Sequence, residues 1–142
     1  MKNYFIYAFL LLLIFSCNKE EADSIVGTYK VTSLAQSNCS NPAENFELNF
    51  GNNNCVTAGG IEFCESGTFN FSADGNFTST IRLNAPAVGE LLDLNGRGTY
   101  VANGNVATIC LPACNDYTLN GNSLTLNQIF GSCTIKLVFS KI

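Results

Sequence analysis

The chain has 142 residues, of which 13% are charged, with seven basic and eleven acidic side chains and a net charge of −4. An acidic balance without clustered Lys or Arg argues against a nucleic-acid-binding protein, which needs a basic face for the phosphates. The chain also contains no His, so a Ser or Cys nucleophile would lack its commonest general base.

The first segment has the parts of a secretory signal. Lys2 gives it a positive start, residues 4–15 form an apolar run, and Ser16 is a small residue directly before Cys17. The run is too short for a bilayer core, which needs about 20 residues, so a cleaved signal is favoured over a transmembrane helix. The segment resembles the lipobox of bacterial lipoproteins in its looser Bacteroidetes form. This resemblance implies that residues 1–16 are removed and that Cys17 is acylated and becomes the mature N-terminus.

The charged residues directly after Cys17 indicate where in the cell envelope the exported protein is located. Lys19-Glu20-Glu21 resembles the Lys-acidic-acidic signal that sends some Bacteroidetes lipoproteins to the outer leaflet, which implies an outer-membrane, surface-exposed location. A solvated charged linker is the alternative, since residues 17–24 form a polar tether in either case. The mature chain keeps six basic and eleven acidic residues, a net charge of −5. We therefore expect the lipid on Cys17 to be the membrane link, because an acidic domain is not attracted to anionic lipid.

Six cysteines follow the predicted cleavage site, and an even number in an exported domain predicts three disulfides. Many connectivities are open, so the pairing needs local arguments. The predicted pairs are Cys55–Cys64, Cys110–Cys114 and Cys39–Cys133. The first pair flanks a Gly59-Gly60 turn signal, the second closes a short loop, and the third follows by elimination. A zinc site is disfavoured, because just one pair has suitable spacing and the chain has no His.

The first strands follow the tether. Residues 25–34 are rich in β-branched and aromatic side chains, which suit a half-buried pleated surface. Phe46, Leu48 and Phe50 alternate with polar residues, the period of two that is typical of a strand. Residues 84–94 are the least regular part of the domain, since a proline discourages strand there. This segment is expected to form a short helical turn or a loop over one end of the fold.

The hairpin around Asp74-Gly75 has two possible registers. A two-residue loop would set Phe71 opposite Thr78 and place two rows of phenylalanines on opposite faces. A three-residue loop with Gly75 in the left-handed conformation sets Phe71 opposite Phe77, on one face. Burial favours the second register, because it turns both rings toward the same interior.

Two further hairpins are predicted by turn signals at Asn103-Gly104 and Asn120-Gly121. The registers that these turns set are Tyr100 opposite Ala107 and Tyr117 opposite Leu124. A last strand over residues 133–139 alternates apolar and polar side chains. The second half of the domain is therefore predicted to form consecutive antiparallel strands.

About nine strands and no convincing amphipathic helix predict an all-β antiparallel meander. Meanders of this kind avoid exposed edges by closing on themselves. We expect one domain over residues 25–142, an up-and-down barrel of about eight strands stapled by disulfides, with a β-sandwich as the alternative.

Several short motifs resemble the lipocalin-like domains of Bacteroidetes lipoproteins. These motifs are Ile25-Val26-Gly27-Thr28-Tyr29-Lys30-Val31, Gly67-Thr68-Phe69, Asp74-Gly75-Asn76-Phe77 and Gly98-Thr99-Tyr100. The resemblance spans roughly residues 25–140 and implies a lipocalin-like barrel in the cell envelope that binds a small molecule. The aromatic of the first motif is Tyr29, where lipocalin-like first strands usually carry Trp.

Binding of a small apolar ligand is the predicted function. Barrels of this size either hold one small molecule or are filled by their own side chains. The candidate ligand-binding residues, predicted to point into the barrel, are Phe46, Phe69, Phe71, Phe77, Tyr100, Tyr117 and Phe139. Ordinary core packing is the alternative role for each of them.

The alternative function is a surface interaction module without a ligand cavity. Its loops at residues 36–44, 51–60 and 84–95 would contact a glycan, a host protein or an outer-membrane neighbour. We predict no enzymatic activity, no cofactor and no metal. Glu62 and Glu65 are close enough in sequence to suggest a carboxylate pair, but on the hairpin predicted there both are expected to face water.

Overall fold

The computed structural model describes residues 24–142. The predicted signal peptide, the predicted lipidation site Cys17 and the predicted export signal Lys19-Glu20-Glu21 lie outside the described residues. From residue 24 onward, no helix is long and apolar enough to cross a membrane. This part of the chain is all-β, apart from a 3₁₀ turn at Pro42–Glu44.

Eleven strands make up the described chain, and their pairings are all antiparallel. In chain order they are β1 (Gly27–Ser37), β2 (Phe46–Asn49), β3 (Cys55–Ala58), β4 (Ile61–Ser66), β5 (Phe69–Phe71), β6 (Asn76–Ala85), β7 (Gly89–Asn103), β8 (Val106–Cys110), β9 (Cys114–Asn120), β10 (Ser123–Phe130) and β11 (Cys133–Lys141). The all-β prediction is confirmed, although eleven strands form where about nine were expected.

Eight of the strands close into a barrel. Strands β6 to β11 form a meander in which each pairs with the next, and β11 pairs with β1. The short strand β5 joins the ends of this run, because it pairs with both β1 and β6. Strands β2, β3 and β4 lie beside the ring, with β2 on β1 and the β3–β4 hairpin on β6. Closure confirms the barrel over the sandwich.

The antiparallel register gives the barrel two ends with different contents. The end that we call lower holds the start of β1, the end of β11 and the turns at residues 73–75, 104–105 and 121–122. The upper end holds the 3₁₀ turn and the turns at residues 59–60, 86–88 and 131–132. Lys141 Nζ donates a hydrogen bond to the Ser24 carbonyl at 3.1 Å. The described chain therefore begins at the lower end.

The hairpin between β5 and β6 confirms the three-residue loop. Phe71 pairs with Phe77, and Gly75 has a φ of 83°, a left-handed conformation that glycine adopts without steric cost. The two phenyl rings point into the barrel with their centroids 5.6 Å apart. The burial argument therefore predicted this register correctly.

Both Asn-Gly hairpins form, but their registers differ by two residues from the prediction. The turns are Gly104-Asn105 and Gly121-Asn122, with φ of 60° and 55° at the glycines, and glycine thus takes the first loop position, as in type II′ turns. The observed pairs are Tyr100–Ile109, Tyr117–Leu126 and Leu124–Leu119, so the predicted pairs Tyr100–Ala107 and Tyr117–Leu124 are wrong. Each Asn-Gly-Asn sequence contains two overlapping turn signals. A slip of two residues leaves every side chain on its predicted face.

Residues 84–85 and 89–94 belong to the sheet, so the prediction of a loop or helical turn over residues 84–94 is wrong. Strands β6 and β7 meet across a turn at residues 86–88, which contains the proline. Leu92 pairs with Leu83, and both Leu92 and Leu94 pack against the core. Burial of these leucines stabilises the strand.

All three predicted disulfides are present. They join Cys39 to Cys133, Cys55 to Cys64, and Cys110 to Cys114. The Cys55–Cys64 bridge crosses the β3–β4 hairpin, and the Cys110–Cys114 bridge closes the loop between β8 and β9. The Cys39–Cys133 bridge joins positions 94 residues apart. It ties the segment after β1 to the start of β11 at the upper end.

Candidate functional site

The lower part of the barrel interior is filled by aromatic rings, which we call the aromatic core. Its members are Phe69, Phe71, Phe77, Tyr100, Tyr117 and Phe139, and all six are buried. The Phe69 ring is central, with its centroid 5.2 Å from that of Phe139 and 5.7 Å from that of Phe77. Tilted and edge-to-face pairs at these distances gain energy beyond the burial of apolar area. The structure thus brings together six of the seven predicted inward aromatics.

The two tyrosines of the aromatic core keep neutral hydroxyl groups. Tyr100 donates a hydrogen bond from its hydroxyl to the Ser72 carbonyl at 2.6 Å, and burial together with the nearby Asp74 charge raises its pKa. Burial raises the pKa of Tyr117 to about 12. Both side chains therefore stay protonated at neutral pH, and packing dominates the lower interior.

The inner face of the upper barrel is less completely covered, and we call it the upper mouth. The side chains there that pack against the core and stay partly exposed are Val56, Ala58, Phe63, Leu92, Leu94, Leu111 and Ile135. Cross-strand partners share a face, so the pairing of Leu92 with the fully buried Leu83 places Leu92 on the inner face. The upper mouth is consequently an apolar wall that the protein itself covers only in part.

Phe46 is not part of the aromatic core. It is 41% exposed, so it is not buried in the barrel interior as predicted, although its pairing with Gln36 places it on the inner face of β2. Strand β2 pairs with β1, with Phe46 opposite Gln36, and β2 ends the strand order of the sheet in the described chain. The ring therefore lies at the rim of the upper end, where no neighbouring strand covers it.

Polar amides complete the rim. Gln36 donates from Nε2 to the Glu44 carbonyl at 2.9 Å, and Gln128 donates from Nε2 to Asn115 Oδ1. Both glutamines pair with Ile135 across their ladders and so lie on the face of the upper mouth. Apolar walls below an amide rim give this end of the barrel an amphipathic character.

Glu65 is a buried acidic residue, 4% exposed, and the prediction that it faces water is wrong. It pairs with Leu83 across β4 and β6, so its side chain points to the inner face of the sheet. Glu62 is exposed, as predicted. The alternation of Ile61, Phe63 and Glu65 puts the last of these at an inward position. That alternation is the signal that identifies Glu65 from the sequence.

The surroundings of Glu65 favour its neutral form. Burial raises the pKa of this carboxyl, while the positive charge of Lys30 acts in the opposite direction. Lys30 lies between the buried residues Tyr29 and Val31 on β1, which places it on the outer face. Within residues 24–142, no basic side chain forms an ion pair with this carboxyl within 4.0 Å.

Among residues 24–142, two groups of side chains have distances suited to a metal ion. They are Cys39, Glu44 and Cys133, and Cys55, Glu62 and Cys64. In both groups the cysteines are joined as disulfides, whereas a metal binds the thiolate. The role of these cysteines is therefore to staple the fold.

Most of the three segments predicted to carry an interaction surface lies at the upper end. Residues 38–44 and the turn at residues 59–60 lie there, and residues 84–95 include the upper turn between β6 and β7. Residues 51–54 are the exception, because they join β2 to β3 beside Thr32 in the middle of β1. The neighbouring tip of the β10–β11 hairpin carries Ile129 and Phe130, which are 84% and 79% exposed. The upper end thus combines the partly covered interior with an apolar hairpin tip.

No protein-family model matches the sequence, and no curated protein or solved structure matches it either. Membership of the lipocalin-like lipoproteins therefore stays a prediction from the short motifs. A barrel fold is compatible with many functions. The function is accordingly argued from the upper mouth and its residues.

Proposed function

We propose that the protein is a cell-envelope lipoprotein whose barrel binds a small apolar ligand in the upper mouth. The observation that carries this proposal is the contrast along the inner face. The aromatic core is buried and packed on itself, whereas the apolar walls of the upper mouth stay partly exposed. Small-molecule sites are usually concave and apolar with a few polar groups. The filled lower half confines the ligand to the upper half of the barrel.

The direction of the tether supports this arrangement. The described chain begins at the lower end, where Lys141 holds Ser24. A lipid on Cys17 would therefore hold the lower end toward the outer membrane, with the upper mouth directed away from it. An anchored protein in this orientation presents its binding end to the medium.

Substitution of the lipidated cysteine, Cys17→Ala, is expected to release the protein from the membrane fraction, because the acyl chains are its proposed attachment. Fractionation followed by immunoblotting measures this. The matched control replaces Lys19, Glu20 and Glu21 by alanine and should stay in the membrane fraction while losing accessibility to protease added outside the cell. Retention of the Cys17→Ala protein in the membrane fraction would contradict the anchor.

Ligand binding is tested on residues 18–142, produced with their disulfides, by native mass spectrometry with decanol as the probe. We expect one bound molecule of decanol. In Leu92→Glu the affinity should fall at least about tenfold, because the new carboxylate would lose its hydration when decanol fills the upper mouth. Val101→Glu is the control, since Val101 lies on the same strand and is 69% exposed. No bound decanol, or equal binding by both variants, would overturn the proposed site.

A second candidate is the surface interaction module, which the exposed Ile129 and Phe130 favour. Exposed apolar side chains at a hairpin tip commonly mark a contact with another macromolecule. A protein that takes up no small molecule in the experiment above would support this function. Its binding surface would then be the upper loops and the β10–β11 tip.

A further inference from the structure

The position of Glu65 joins a carboxyl group to the upper mouth. Its side chain shares the inner face of the sheet with Leu83, its partner on β6, and with Phe63, two residues earlier on β4. Phe63 is one of the apolar residues of the upper mouth. A molecule lying against Phe63 therefore has the Glu65 carboxyl beside it.

The side chain of Glu65 is largely buried and has no ion-pair partner within residues 24–142. It is 4% exposed, and the ion pair found in that part of the chain joins Arg82 to Asp93. Lys30 attracts it through space from the outer face of β1 without forming an ion pair. A carboxyl group that is largely removed from water is costly to ionise without an opposite charge beside it. A ligand with a positively charged head group would supply that charge.

We propose, building on the proposed function, that the ligand is an amphipathic amine, with an apolar chain in the upper mouth and an ammonium group on the Glu65 carboxylate. An ionised carboxylate is an acceptor with several lone pairs, and a primary ammonium has three N–H donors to offer it. A hydrogen bond between two charged groups is about twice as strong as one between neutral groups. The net charge of −4 also attracts cations to the protein.

The same geometry ranks ligands by their head groups. A hydroxyl group can donate one hydrogen bond to Glu65 but brings no opposite charge. A carboxylate head brings a like charge next to Glu65 and has no donor. For chains of equal length, the expected order of affinity is amine, then alcohol, then carboxylate.

The test compares decylammonium, decanol and decanoate on residues 18–142 at neutral pH, by isothermal titration calorimetry. We expect decylammonium to bind about tenfold more tightly than decanol, and decanoate to bind most weakly. In Glu65→Gln, which keeps the shape and removes the charge, the ratio of amine to alcohol affinity should fall to about one. Decanol should bind this variant as well as it binds the original protein, which also shows that the variant is folded.

Glu62→Gln is the matched control, because Glu62 lies on the same strand and is exposed. It should keep the preference for the amine. An unchanged preference in Glu65→Gln, or decanoate binding as tightly as decylammonium, would overturn the role of Glu65 while leaving the apolar site intact. Failure of all three probes to bind would overturn the proposed function and this inference together.

Discussion

Substitution of Phe69 by alanine is expected to lower the free energy of unfolding by about 3–5 kcal/mol, the range found for large-to-small changes at buried aromatics. Phe69 is 1% exposed, and its ring contacts the rings of Phe139 and Phe77 at the centre of the aromatic core. It also lies on β5, the three-residue strand that closes the barrel. Its loss leaves a cavity and weakens the closure, and urea unfolding followed by tyrosine fluorescence measures the change.

Phe130→Ala is the matched control for this measurement. Phe130 is 79% exposed, and surface substitutions away from special features usually change stability by no more than about 0.5 kcal/mol. A loss for Phe69→Ala as small as that for Phe130→Ala would show that the aromatic core does not stabilise the barrel as the packing indicates.

Removal of the long-range disulfide by Cys39→Ala together with Cys133→Ala is expected to lower the free energy of unfolding by about 4–5 kcal/mol, by the chain-entropy account. The bridge closes a loop of 94 residues, so it restricts the unfolded chain strongly. Both cysteines are also buried. Urea unfolding of the double variant beside the original protein measures the loss, which is large against a typical total stability of about 5–15 kcal/mol.

The double variant Cys110→Ala with Cys114→Ala is the control. Its bridge spans four residues, and the same account gives a loss of about 2 kcal/mol. Equal losses for the two double variants would show that loop length does not govern the stabilisation, and that local packing at each bridge does.

Under the proposed function, the barrel separates stability from binding along its axis. The aromatic core occupies the lower half, where its rings fill the interior with each other. The upper mouth keeps partly exposed apolar walls and the Glu65 carboxyl. Disturbing the close packing of the aromatic core would lower the stability of the barrel. A ligand site is therefore compatible with the fold only where the interior is not already filled.

Much of the fold was predictable because its signals are local. Period-two alternation identified the strands, and cysteines flanking a turn signal or a short loop identified two of the disulfides. The register of Phe71 opposite Phe77 followed from one burial argument about one glycine. Each of these conclusions depends on residues close together in the chain, where turn geometry and side-chain alternation restrict the possibilities.

Other features were decided by contacts between distant residues. Overlapping turn signals in each Asn-Gly-Asn sequence left two registers that bury the same faces, so alternation did not choose between them. The packing of Leu92 and Leu94 against the core places in the sheet a segment that was predicted to be a loop. Phe46 is exposed because no strand covers the far edge of β2. The inward position of Glu65 follows from local alternation, whereas the rise of its pKa depends on burial by the strands around it.

The sequence by itself determined an all-β chain, most of its inward and outward faces and its disulfides, because these follow from side-chain period and cysteine spacing. The tertiary structure alone decided that β5 closes the ring and that the aromatic residues fill one end of the barrel. These outcomes depend on apolar burial and desolvation summed over strands far apart in the chain. No short stretch of sequence contains that sum.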